Sequence, residues 1–393
     1  MYKIALVVVA YNRLDSVSRI LDSLNRSDYG GKDVTLIISV DKSNTDVVEK
    51  YAKDYSWKYG QKIVSTHEKN MGLRNHMLSL GSWFKDFDTL VILEDDIVVS
   101  PNFFSYVEQT VEKYAIEDQI AGISLFNFGV NYQTKNLFEP LKSEYDVYFM
   151  NCAMSWGEVW MKKQWKDFYN WYEKHLDFPT VHSLPTTICS WSNKSWLKYH
   201  TRYCIENNKY FVYPYTSFTT NMGDEGVHHR KGSRFETILT QVPLQYGSIG
   251  QLRLPDFTES CICYDGFFEN KALYTALNLK EEECCLDLNS SNTNPMHKRY
   301  WLSTRLLDYK IIKSYALLYR PIEINIINKT DGHNIFLYDT SVVEKNPYKE
   351  EKALLLYGHR VHDIFSFLLD YGFFRMLKTS FLYTLDILKK RIL

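Results

Sequence analysis

The run Thr89-Leu90-Val91-Ile92-Leu93 followed at once by Glu94-Asp95-Asp96 constrains this chain more than any other stretch. A continuous aliphatic and β-branched run of that length suits a strand buried on both faces, as in a central parallel sheet. Ligands of open α/β sheets bind outside the carboxyl ends of such strands. Three consecutive carboxylates at that end need compensation, because burying unpaired charge is costly, and a divalent cation on oxygen ligands is the natural partner. The acids also have a plainer use in capping the next element, since Ser100-Pro101-Asn102 reads as a helix start.

The preceding residues repeat the same unit. Ile4 to Val9 is an apolar strand ending at Ala10-Tyr11-Asn12-Arg13, and Val17, Ile20, Leu21 and Leu24 then recur at helical spacing. Val34 to Val40 is a second strand, ending at Asp41, with a polar helix over 46–55 behind it; 63–66 is a third short strand, and 72–84 a helix leading into the acidic strand. Strand and helix alternating in this way predict a doubly wound, mostly parallel sheet, with Arg13, Asp41 and Glu94-Asp95-Asp96 at successive strand ends facing one crevice. No G-x-G-x-x-G or G-x-x-x-x-G-K follows the first strand, so a dinucleotide fingerprint and a P-loop are both set aside, and a metal is left to handle any phosphate.

Composition narrows the field. At 393 residues with 46 basic against 47 acidic side chains, the chain has ample core-forming content and no global field to recruit nucleic acid. The seven cysteines lack paired zinc spacing and read as free thiols in a reducing compartment. The opening residues run straight into a strand, so the expectation is a cytoplasmic catalytic part. From about 120 to 245 the pattern turns irregular and aromatic, with Trp156, Trp160, Trp165, Trp191 and Trp196 close together, either core or sugar-stacking surface. A boundary falls near 250–300, and the strand-like Ile322 to Ile327 lies in a region without readable chemistry. From Val361 to Leu393 apolar residues crowd into a helix pair; Arg375, Lys378, Lys389, Lys390 and Arg391 oppose only Asp386 after Tyr371. That tail is too interrupted to span a bilayer, and reads as an amphipathic anchor on an anionic inner membrane face or as a packed helix or dimer contact.

Residues 1–245 resemble nucleotide-sugar glycosyltransferases of the A-type fold, in particular the group around N-acetylglucosaminyltransferase I and bacterial family-2-like relatives. The resemblance rests on an ordered set: Val7-Val8-Val9-Ala10-Tyr11-Asn12-Arg13, Ser39-Val40-Asp41, Asn70-Met71-Gly72-Leu73-Arg74-Asn75, Leu93-Glu94-Asp95-Asp96 with Ser100-Pro101-Asn102-Phe103-Phe104, Ser155-Trp156-Gly157, and Asn221-Met222-Gly223-Asp224-Glu225-Gly226-Val227-His228-His229. It implies an α/β, Rossmann-like A-type fold with a mostly parallel central sheet, here followed by an extension over 246–360 expected to be α-rich and the basic tail of 361–393. It also implies that Arg13 and Asp41 contact the nucleotide base, Glu94 and Asp95 the ribose and sugar side, and that Asp96 ligates Mn2+ or Mg2+ bridging the diphosphate. His228 or His229 would add a metal or diphosphate contact.

The chain departs from the family at the base. Relatives carry an Asp in a Trp-Asp-x-x-Trp-like stretch, whereas Trp191-Ser192-Asn193-Lys194-Ser195-Trp196 has no acid. Asp224 or Glu225 on the Gly-flanked loop is the expected substitute for taking the acceptor proton. The leading expectation is therefore a metal-dependent, inverting transferase moving a sugar, UDP-linked, to a glycan acceptor, lipid-linked, in surface polysaccharide biosynthesis. A catalytically silent sugar- or membrane-binding scaffold and a nucleotidyltransferase are the alternatives.

Overall fold

The computed structural model describes residues 2–134, 136–179, 183–224, 244–257, 262–292, 295 and 297–349, and beyond these residues 357, 372–374, 377, 378 and 381. Its strands are β1 (Ile4–Ala10), β2 (Thr35–Val40), β3 (Lys62–Thr66), β4 (Thr89–Glu94), β5 (Ile97–Val99), β6 (Ile120–Ser124), β7 (Val147–Met150), β8 (Glu158–Met161), β9 (Tyr210–Pro214), β10 (Thr219–Asn221) and β11 (Cys263–Tyr264). The carboxyl-terminal part adds β12 (Cys284–Asp287), β13 (Tyr300–Ser303), β14 (Tyr309–Tyr315) and β15 (Ile335–Val343). Seven helices accompany the first eleven strands among the described residues: α1 (Leu14–Asn25), α2 (Val47–Asp54), α3 (Gly72–Ser79), α4 (Phe103–Tyr114), α5 (Lys162–Tyr172), α6 (Thr186–Ser190) and α7 (Leu197–Glu206).

Nine strands form one sheet in the order β11-β7-β9-β6-β8-β4-β1-β2-β3. The β1, β2, β3 and β4 pairings are parallel, as are β6 with β9 and β7 with β11, while β8 runs antiparallel between β4 and β6 and β7 antiparallel to β9. The sheet is thus mixed but mostly parallel. Because side chains alternate across a strand, β1 divides its apolar residues between two cores. Leu6, Val8 and Ala10 face the layer that includes α1, α2 and α4, and Ala5, Val7 and Val9 face the layer that includes α3, α5 and α7. Both faces being covered is why the strand reads as unbroken apolar sequence.

Two local expectations change. The helix expected over 72–84 stops at Ser79 and tightens into a 3-10 turn, Leu80–Lys85. A side chain at Gly81 there would collide with the Trp165 indole nitrogen at 2.1 Å. The apolar stretch at 322–327 is not a strand but a short helix, Ile324–Ile327, because Asn325 folds the chain back on itself. Its side chain accepts from Leu318 N and Tyr319 N and donates to Tyr319 O and Ile322 O.

The extension is a correction of the α-rich expectation. Its described residues form a four-stranded sheet in the order β12-β13-β15-β14, with short helices at Ala272–Leu277 and Ile324–Ile327. One sheet face packs Leu286, Leu302 and Leu337, the other Cys285, Trp301, Phe336 and Tyr338. Strands of four residues, such as β12 and β13, carry too little alternation to announce themselves. β11 joins the first sheet, so that sheet takes in residues beyond 245. Tyr264 at its end bonds across the junction, donating to Glu323 Oε1 at 2.7 Å and accepting from Leu141 N at 2.8 Å. No disulfide joins the six described cysteines.

Candidate active site

The parallel strands deliver Arg13, Asp41 and the Glu94-Asp95-Asp96 cluster to the same carboxyl edge, and the two-stranded ribbon of β5 and β10 folds over it. Arg13 leaves β1 and turns toward the acids. Its Nη2 and Nε engage Asp95, the latter at 3.3 Å, and its Nη1 donates to Asp96 Oδ2 at 3.2 Å and to the Asp224 carbonyl at 3.3 Å. Asp96 is gripped from its other side by Asn221 Nδ2 at 3.1 Å, and its carbonyl accepts from Met222 N at 2.8 Å. Asn221 also receives Gly223 N at 2.7 Å, in a turn where Gly223 has a positive φ of 64°. An L side chain is costly in that conformation.

The charges in this cluster are strongly perturbed. Burial pushes the Asp95 carboxyl up to about 6 even though the Arg13 guanidinium pulls it down. Glu94 is driven well above the usual carboxylate range by burial and by the adjacent charges of Asp96 and Asp95. Its carboxylate accepts no hydrogen bond among the described residues. Burial alone would lower Arg13, but Asp95 and Asp96 carry it above its ordinary value. An excess of buried negative charge with one guanidinium among it is the signature of a site that gains from a further cation.

Asp41 has a different local duty. Its Oδ1 accepts from Lys42 N at 2.8 Å and Met71 N at 2.8 Å, and its Oδ2 from Gly72 N at 3.0 Å. The carboxylate therefore caps the start of α3 and ties the Asn70-to-Asn75 motif to the end of β2. Beneath it, Ser39 Oγ and His76 Nε2 lie 2.7 Å apart, and burial depresses His76 to about 4 against the opposing pull of Asp41. Arg74 in the same motif donates to Asn193 O at 2.7 Å, which brings the acid-free Trp191–Trp196 stretch to this side of the cleft.

Asp224 is reached by two residues that sequence reasoning passed over, Ser16 and Arg19 of α1. Ser16 Oγ donates to Asp224 Oδ2 at 2.7 Å, and Arg19 pairs with the same oxygen. Burial works against its charge, yet these donors hold the carboxyl below its usual value. Positions 13, 16 and 19 recur at one-turn spacing, a signal that was present in the sequence. A second omission is Glu158 on β8, fully buried beside β4 with His200 Nδ1 3.3 Å from its Oε1; burial raises its carboxyl. The Trp-Gly turn is as expected: Gly157 has a φ of 99°, and a side chain there would meet Thr219 at 2.7 Å. Trp160, Trp165 and Trp196 are core, the first two stacked at 4.0 Å. Glu225, His228 and His229 lie outside the described residues.

An oxygen-rich donor set at a strand end, with the Glu94 carboxylate accepting no hydrogen bond among the described residues, suits a hard cation such as Mn2+ or Mg2+. Among the described residues, however, no group of three His, Cys, Asp or Glu side chains is arranged to hold a metal by itself.

A mostly parallel sheet with an acidic cluster at the end of a central strand and a short ribbon closing over it is the frame of the A-type glycosyltransferase fold. Residues 2–154 match the model of the family described as Glycosyltransferase like family 2. No curated protein matches the chain. Among solved structures, it is similar to TarS 1-349 of S. aureus in complex with UDP-GlcNAc at 14% identity, covering 58% of this chain and 60% of that one, with a TM-score of 0.37. It is likewise similar to a second structure of S. aureus TarS 1-349 at 13% identity, over 55% and 59% of the two chains, TM-score 0.35. Similarity extends to the mannosyltransferase PcManGT from Pyrobaculum calidifontis in complex with GDP-Man and Mn2+, at 12% identity over 55% and 57%, TM-score 0.34. The chain spans less than two thirds of each of these structures.

Proposed function

We propose that this chain transfers a sugar from a nucleotide sugar, UDP-linked, to a glycan acceptor. The observation that carries this reading is the meeting of Arg13, Glu94, Asp95, Asp96 and Asn221 at the carboxyl edge of a sheet whose first part matches a family-2 glycosyltransferase model. As the sugar carbon detaches, the nucleoside diphosphate gains negative charge. Asp96, with oxygens of the diphosphate and with His228 or His229, would hold Mn2+ or Mg2+, which supplies charge stabilisation to that leaving group when bound. Arg13, whose guanidinium binds the Asp95 and Asp96 carboxylates, would contact the nucleotide base. Asp41, by fixing the start of α3, shapes the base pocket, and Glu94 and Asp95 face the ribose and sugar.

For an inverting transfer, Asp224 and Glu225 are the carboxylates we assign to the acceptor side. Because Ser16 and Arg19 stabilise the ionised form of Asp224, it is suited to anchoring the loop, which leaves Glu225 as the general base. The acceptor is proposed to be lipid-linked, in surface polysaccharide biosynthesis at the inner membrane face. In support, Phe373, Leu377 and Phe381 fall at helical spacing and are 58%, 51% and 63% exposed, beside Lys378 in a basic tail. Among the described residues no helix is long and apolar enough to cross a membrane.

The test is nucleoside-diphosphate release over a panel of nucleotide sugars, with Mn2+ or with EDTA, on wild type and Asp96→Ala. Release from one donor that needs both metal and Asp96, reduced at least 100-fold in the variant, is expected. Silence across the panel, with no nucleotide-dependent rise in melting temperature, would transfer the reading to a scaffold, and pyrophosphate release to a nucleotidyltransferase.

A further inference from the structure

A crevice of about 320 Å³ opens on the same edge of the sheet, beyond the acidic cluster. Its walls come from three places. Tyr215 and Phe218 follow β9, which is parallel to β6 and so ends on the carboxyl edge. Lys142, Tyr145 and Asp146 precede β7, which runs antiparallel to β9 and so begins there. Gln245 and Arg253 come from the segment after 243. At the floor, Phe218 stacks on Tyr106 with ring centres 4.6 Å apart.

The lining is built rather than accidental. Tyr215 is held at both ends: its hydroxyl donates to Leu141 O at 2.8 Å, and its carbonyl accepts from Asn127 Nδ2 at 2.9 Å. Its ring lies against Tyr148 at 5.4 Å and has Lys142 Nζ 5.9 Å from its centre. Asp146 and Arg253 are joined by Arg253 N donating to Asp146 Oδ2 at 2.7 Å and by Asp146 N donating to Arg253 O at 3.0 Å. Gln245 N donates to Ser217 O at 2.7 Å. Fixed tyrosine rings edged with an ammonium, a guanidinium, a carboxylate and an amide offer flat apolar faces and convergent hydrogen-bonding groups together. A sugar ring presents the complement, with C–H faces above and below and hydroxyls around its rim.

Position supplies the second half of the argument. β9 lies three strands from β4 in the sheet, about 14 Å at ordinary strand spacing. Along the ribbon, Phe218 in the crevice is three residues before Asn221, which holds Asp96, or about 10 Å of extended chain. That interval leaves room for a diphosphate and one sugar between the acids and the crevice.

We infer that this crevice is the seat of the acceptor glycan, with Tyr215 as the stacking face and Lys142, Asp146, Arg253 and Gln245 reading its hydroxyls. This assignment rests on the proposed sugar-transfer reading, and it names the substrate class for which the crevice is shaped: a carbohydrate, not the nucleotide or a lipid tail.

The test uses the full chain in saturation-transfer NMR with a panel of methyl glycosides, in the presence of saturating UDP. At least one glycoside is expected to receive saturation from wild type, to lose at least five-fold of that signal with Tyr215→Ala and with Lys142→Ala, and to keep it with Tyr215→Phe, which retains the ring. A glycoside signal indifferent to Tyr215→Ala and Lys142→Ala, or no signal from any glycoside, overturns the assignment. The donor reading is scored apart, by whether a nucleotide sugar raises the melting temperature of the wild type. Donor binding without glycoside binding therefore removes the crevice alone, and glycoside binding without donor binding removes the transfer reading and with it the acceptor role, leaving a carbohydrate site.

Discussion

Asp224 and Glu225 are neighbours in sequence, yet the contacts of Asp224 separate their expected roles. Asp224 is tied to Ser16 and Arg19 with its side chain 19% exposed, so Asp224→Asn should lower stability by about 1 kcal/mol, an amount typical of one partly screened charged bond. Glu225→Gln should instead lower turnover about 100-fold or more while leaving melting temperature and nucleotide binding in place, as loss of a general base does. Thermal melts and steady-state rates on the two variants check this; equal loss of turnover in both, with no change in melting, would remove the distinction. Arg13, Asp41 and the acidic triplet were legible because each stands where an apolar run stops, so the strand end announced them. The spacing of Ser16 and Arg19 along α1 was readable, but their pairing with Asp224 was not, because 208 and 205 residues separate them from it. Only the closing of the ribbon over α1 brings those residues together.

At the scale of elements, α3 is the piece whose placement depends most on buried polar groups. Its first turn is capped by Asp41 and its interior carries His76, which is 2% exposed and held near a pKa of about 4. The unfolded chain takes up that proton near the ordinary value of about 6.5, so it binds more protons than the folded state between the two values. Stability is therefore full above about pH 6.5 and declines as pH falls toward about 4, by about 3 kcal/mol from this residue alone. Urea unfolding of wild type and His76→Gln at pH 7 and pH 5 measures it: the glutamine variant should lose much of the pH dependence, and an unchanged slope would contradict the assignment. The parallel half of the sheet was readable because its strands are unbroken apolar runs. β8 was not, since Glu158 within it is a buried charge that no periodicity anticipates, and neither was the second sheet. There, β14 keeps most of its residues at least partly exposed, so no face dominates its pattern.

For the whole molecule, specific contacts tie the first sheet to the extension, among them the Tyr264 hydroxyl placed between Leu141 and Glu323. Beyond the second sheet, the exposed Phe373, Leu377 and Phe381 with the basic tail call for a flotation experiment on liposomes. The full chain should float with vesicles rich in anionic lipid and lose that association at high salt, because the attraction is screened. A chain ending before Val361 should stay at the bottom of the gradient, and equal behaviour of the two would eliminate the anchor. The ribbon of β5 and β10 carries one consequence of a different kind. Asn221 grips the Asp96 carboxylate while Met222 N holds its carbonyl, so the chain that continues toward Asp224 and Glu225 starts out fastened to the same acid. Whatever shifts Asp96 on the donor side shifts the root of that segment, and whatever settles against the segment is felt at Asp96. Two ligands that both act on Asp96 share one free energy, and by reciprocity each must change the affinity of the other by the same factor.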